Sequence, residues 1–171
     1  MRRAAALPAP LAVLAVLGLL GGAGLTGCAA EAGAEAGAGV RYSADYAKHE
    51  PLRVEGYPSA GSLKVVQEVV WRTGDGEAGA LAALGSSDSS AGERERAATR
   101  WVAEYRRGAG GPVTASFCGP GDERQVVTLR FGATGQTKVL HVGLDGPGGD
   151  SGWRVRLLAD EAPESPPAAC P

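Results

Sequence analysis

The chain has 171 residues, with 17 basic against 19 acidic side chains and a net charge of −2. That balance excludes a strong electrostatic pull toward nucleic acid, and the length suffices for one domain with a buried core. Its three cysteines show no CxxC spacing, so a zinc ligand set is missing; no metal or cofactor is expected.

Met1-Arg2-Arg3 gives a short basic start, and residues 4–30 carry no charge at all. Leu11 to Leu20 is apolar and favours a helix; Gly21-Gly22-Ala23-Gly24 then leads into Leu25-Thr26-Gly27-Cys28. Basic, apolar and small-residue regions in this order form a secretory signal. Gly21 and Gly22 weaken the helix and leave extended backbone for a peptidase.

The last four residues resemble the lipobox of bacterial lipoproteins, with an aliphatic residue three places before the cysteine and two small residues after it. Thr26 stands where alanine or serine is more usual. The resemblance implies a diacylglyceryl thioether on the Cys28 sulfur and cleavage between Gly27 and Cys28. Acylation of the new amino group, by a chain of the palmitate kind, would follow. Sulfur suits the first step because a thiolate is a strong nucleophile near neutral pH. Each buried methylene contributes about 0.8 kcal/mol and stable anchoring takes two signals, which the two acyl chains of one diacylglyceryl group supply. The implied location is the extracytoplasmic face of the bacterial cell membrane, with the membrane itself as a partner. Two other readings stand beside this one. Residues 4–30 are long enough to stay as a membrane span, although Pro8, Pro10 and the glycines make a poor helix. Cys28 could also be an ordinary cysteine after conventional cleavage.

Residues 28–39, rich in Ala, Gly and Glu, have little to bury and read as a flexible tether. Residues 40–61 contain Tyr42, Tyr46, Tyr57, Pro51 and Pro58 without a clear period, an irregular lead-in. From Ser62, the positions Leu63, Val66 and Val70, flanked by Val65, Val69 and Trp71, predict a helix with a broad buried face. Thr73-Gly74-Asp75-Gly76 breaks it. Glu77 to Leu84 reads as a short second helix. Ser90 with Glu93 forms a capping box for a third, with Ala97, Ala98, Trp101, Val102 and Tyr105 on one face. Gly108 to Gly111 stops it.

After Pro112 the period falls to two. Val113, Ala115 and Phe117 alternate with Thr114, Ser116 and Cys118. Arg124 to Phe131 and Thr137 to Leu144 are two further strands joined by a hairpin-length loop, and Trp153 to Leu158 is the last. Residues 160–171 form a proline-rich tail. Helices followed by a meander predict an α+β fold, with the N-terminal helices on one face of a four-stranded antiparallel sheet. This order, with Trp101 before the sheet and the Gly152-Trp153-Arg154-Val155 strand opening, resembles the NTF2-like fold over residues 62–159. The resemblance implies a curved sheet closed into a cone around a helix hairpin.

Cys118 and Cys170 are an even pair in an oxidising compartment, which favours a disulfide. Closing that loop contributes about 4 kcal/mol in the chain-entropy model. A reactive thiol is the alternative. His141 is the one histidine in a predicted strand and the weak candidate for a catalytic base. With Leu140, Val142 and Leu144 toward the helices, it faces solvent or a partner. His49 reads as a solvent residue. The acids Asp75, Asp88, Glu93, Asp122, Asp145 and Asp150 lie in loops and at helix starts, where burial does not raise a pKa to that of a base. Gly74-Asp75-Gly76-Glu77-Ala78-Gly79 spells GxGxxG, but a capped helix stands where a dinucleotide site needs a strand. Trp71, Trp101 and Trp153 fit core positions, and an aromatic-lined pocket is the sharper alternative. The loop Asp145 to Asp150 fits a hairpin tip better than a calcium site. No GxSxG or Walker lysine is present. A non-catalytic binding or scaffold module, partnered by an envelope protein or a small apolar ligand, ranks above an isomerase- or dehydratase-like enzyme working in the cone.

Overall fold

Two serines start the long helices. In the computed structural model, which describes residues 44–119, 122–145 and 148–157, Ser59 Oγ accepts from the Ser62 N–H at 3.1 Å and opens α1, Ala60–Asp75. The helix thus begins before the predicted Ser62, because Ala60 and Gly61 carry no periodic signal. Gly76 ends it at φ 81°, a left-handed cap that returns its N–H to the Arg72 and Thr73 carbonyls. The GxGxxG stretch is therefore a helix–helix turn. Helix α2 follows at Ala78–Ala83, and α3 at Ala91–Ala109 starts on the expected Ser90/Glu93 capping box.

The sheet corrects the expected topology. It has five strands, not four, and it is mixed. β1 (Arg53–Gly56) lies within the segment read as irregular and pairs parallel to β2 (Val113–Cys118). β3 (Arg124–Phe131), β4 (Thr137–Leu144) and β5 (Trp153–Arg156) continue antiparallel in sequence order, and β1 and β5 end an open sheet. A one-turn 3₁₀ helix, Gly149–Gly152, leads into β5. The fold is α+β.

Period-two alternation sorts the strand side chains. Val113, Ala115, Phe117, Val127, Leu129, Phe131, Leu140, Val142, Trp153 and Val155 are buried. They meet Val65, Val66, Val69, Leu81, Ala98, Trp101 and Tyr105 from the helices in one core. Burying each large side chain contributes about 1.5–3 kcal/mol. All three tryptophans are buried, as core packing predicts. Leu144 shares the inner phase but lies at the strand end, 37% exposed. Gly61 makes a close crossing: a Cβ there would sit 2.3 Å from Trp153 Cδ1 and 2.5 Å from the Asp150 carbonyl oxygen.

The lead-in is clasped to α1. Arg72 and Asp45 are both buried and form an ion pair, and Arg72 Nη1 also reaches Glu77 at 3.3 Å. His49 corrects its expectation as a solvent residue. Its ring stacks on Trp71 at 5.3 Å, Nδ1 lies 2.8 Å from the Asp45 carbonyl and Nε2 lies 3.0 Å from Asp75 Oδ1. Both neighbours are acceptors, so the imidazolium, with two N–H donors, matches the site. Burial opposes that charge, but the Asp75 hydrogen bond, the Asp45 carbonyl and the two carboxylates outweigh it and raise the His49 pKa above 6.5.

Among the described residues no helix is long and apolar enough to cross a membrane. Gly27, Cys28, the 28–39 tether, Cys170 and the 160–171 tail lie outside the described residues.

Candidate functional site

The helices cover one face of the sheet; the described residues put no second layer on the other. Register builds that outer face row by row. Arg124 pairs with Gly143 and Gly143 with Arg154, so a residue without a side chain stands between two arginines. In the adjoining row Cys118 pairs with Val126, Val126 with His141, and His141 with Arg156. A half-open groove of about 400 Å³ forms over these rows, with Ser86, Asp88 and Asp145 along its β5 side.

Charge in the groove is arranged unevenly. Asp145 accepts from the Ser87 N–H at 2.5 Å and the Ser87 hydroxyl at 2.7 Å, and from Ser86 at 3.4 Å. The Ser87 bonds, backbone first, hold its carboxyl below the usual range. Asp88 accepts from Arg156 at 2.9 Å. Arg154 gives one Nη1 to the Ser151 and Trp153 carbonyls, both at 2.8 Å. Arg124, on the far side of the notch, is exposed and has no hydrogen-bond or ion-pair partner among the described residues. The carboxylates are thus engaged along one wall, and on the other stands a guanidinium that no described carboxylate engages.

At the Cys118 end, Gln125 is buried. Its Nε2 donates to the Tyr57 carbonyl at 3.1 Å, while Oε1 has no donor among the described residues. An unmatched buried acceptor costs about 1–3 kcal/mol, a cost often tolerated at functional positions.

The sequence-predicted residues distribute as follows. His141 is half-buried, on the outer face as the alternation of Leu140 and Val142 implies, and lines the groove. Cys118 also lines it and is disulfide-bonded. His49 lies in the clasp, remote in sequence from every groove residue. Among the described residues, no group of three or more His, Cys, Asp or Glu side chains could hold a metal ion. Arg124, Arg154, Arg156 and Gln125 were missed. The first three occupy the polar phase of their strands, which the sequence shows. What it does not show is the register that gathers them around Gly143.

The class of fold and site is therefore an α+β domain with an arginine-bearing sheet face that meets no second layer among the described residues. Comparison with protein-family models, curated proteins and solved structures finds no match to this chain.

Proposed function

We propose that this protein is a lipid-anchored extracytoplasmic binding module, non-catalytic, which receives a carboxylate-bearing partner of the cell envelope on its outer sheet face. The observation that carries the binding part is the notch of Arg124, Gly143 and Arg154, with Arg156 beside it, on a face that no helix covers among the described residues. Guanidinium groups recognise carboxylates with paired N–H donors, which favours an anionic ligand over the apolar one expected from the sequence. The anchoring part rests on Leu25-Thr26-Gly27-Cys28. In this reading Cys118 is paired with Cys170.

Helix order and Trp101 support an NTF2-like relationship; the open β1 edge counts against a closed cone. An isomerase- or dehydratase-like enzyme is the second reading, favoured by His141 in the groove. It is weakened by the carboxylates there: Asp145 is held on the acidic side, the wrong direction for a general base near neutral pH.

Binding of fluorescent poly-L-glutamate to the full chain tests the proposal. Arg124→Glu should weaken it about tenfold, with the wild-type affinity falling as salt rises. Equal affinity in both proteins at low salt removes the groove as the binding surface.

A further inference from the structure

The edge strand β1 is complementary to itself. We infer that two copies of this chain join through β1, the strands antiparallel about a two-fold axis at Val54, so that Arg53 of each copy meets Glu55 of the other. The inference uses the sheet edge alone and is independent of the groove and of the lipid anchor.

Three observations carry it. First, β1 presents an exposed strand edge. It pairs with β2 on one side, no described residue pairs with it on the other, and all four of its residues are exposed. A strand so placed offers unpaired backbone N–H and C=O groups to another strand.

Second, the charges select one partner and one register. Arg53 and Glu55 stand two residues apart and so share a face of the strand. Their β2 partners, Thr114 and Ser116, alternate with the buried Val113, Ala115 and Phe117, so both charges lie on the outer face. Antiparallel pairing centred on Val54 sets each Arg53 opposite a Glu55. Sliding by two residues sets Arg53 against Arg53 or Glu55 against Glu55, and sliding by one sets outer positions against inner ones. Ser116 Oγ donates to Glu55 Oε2 at 2.5 Å and holds that carboxylate beside the edge. Arg53 has no hydrogen-bond or ion-pair partner among the described residues. Edge charges discourage strands of another pattern, whereas a second copy carries the matching one.

Third, the inner side of the edge has apolar surface to cover. Val54 pairs with the fully buried Ala115, yet is itself 42% exposed. On the two-fold axis it meets Val54 of the second copy with Cβ atoms about 4.5–5.5 Å apart, and both lose contact with water. The ladder is short, because Pro51 lacks an N–H and Gly56, at φ 88°, turns the chain after Glu55. The pair is therefore a weak one, at the low end of interface size. An axis normal to the sheet leaves both helix layers on one side and both arginine-bearing faces on the other.

Sedimentation velocity of the full chain, up to about 1 mM, tests the pair through two charge reversals. Wild type should dimerise. Arg53→Glu and Glu55→Arg should each stay monomeric, because each sets like charges opposite one another. Their 1:1 mixture should associate at least as tightly as wild type, because one strand then carries two acids and the other two arginines. In wild type, amide exchange over residues 53–55 should slow about threefold or more between dilute and concentrated protein. A wild type that is monomeric at every concentration, a mixture no better than its components, or association without slowed exchange in β1 overturns the pair.

Discussion

His49 donates from both ring nitrogens to acceptors that belong to two different segments, so its charge state decides how firmly the lead-in is held to α1. Its folded pKa is raised above the ordinary 6.5. The stabilisation is therefore fully present below pH 6.5 and is lost as pH rises through the folded value. The stability difference between wild type and His49→Gln, measured as a urea midpoint, should be largest at pH 6 and shrink toward pH 8.5. An equal difference at both values would mean that the ring is held by stacking on Trp71 alone. None of this was legible in the sequence. Asp75 is 26 residues away and lies past a helix, and the segment around His49 has no period to place it. His141 was legible, because Leu140 and Val142 fix its face by simple alternation. The difference lies in how each residue is placed: one by a local pattern, the other by tertiary contacts.

At the scale of elements, strong periodicity was read correctly and weak periodicity was not. The capping box at Ser90, the buried stripe of α3 and the alternation in β2 and β3 all carry local signals. β1 carries none. All four of its residues are exposed, so no hydrophobic face marks it, and its parallel partner lies some 60 positions away. The start of α1 was missed for a related reason: Gly61 is a poor helix former, kept there by the crossing with Trp153. Gly61→Ala should raise helix propensity yet destabilise the protein by about 2 kcal/mol, because the methyl group meets backbone that cannot move aside cheaply. Urea unfolding of the two proteins measures it. A more stable Gly61→Ala protein would show that the 3₁₀ turn at Gly149–Gly152 gives way easily.

The whole molecule separates its surfaces more sharply than its net charge of −2 suggests. Apolar side chains from three helices and four strands, β2 to β5, share one core, and the outer strand positions gather arginine. Composition showed the totals and could not show this sorting, which depends on register. In the proposed anchored form, a lipid on Cys28 would attach the chain to the membrane. Cys28→Ser should release the protein from the membrane fraction and remove the lipid mass from the intact protein. Continued attachment with unchanged mass would show that something other than the lipobox holds it there.

Among the described residues, one edge of the sheet is sealed and the other is not. Beside β5, the Ser86 N–H donates to the Val155 carbonyl and the Val155 N–H to the Leu84 carbonyl, both at 2.9 Å, so the connector between α2 and α3 occupies the place of a sixth strand. Beside β1 no described residue does so, and the charges of Arg53 and Glu55 are what discourage a visitor there. A sheet whose second edge were open in the whole chain could accept a single neighbour and would then stop. Two such molecules meeting edge to edge would close as a pair, and growth into a fibre by strand addition has no second end from which to continue.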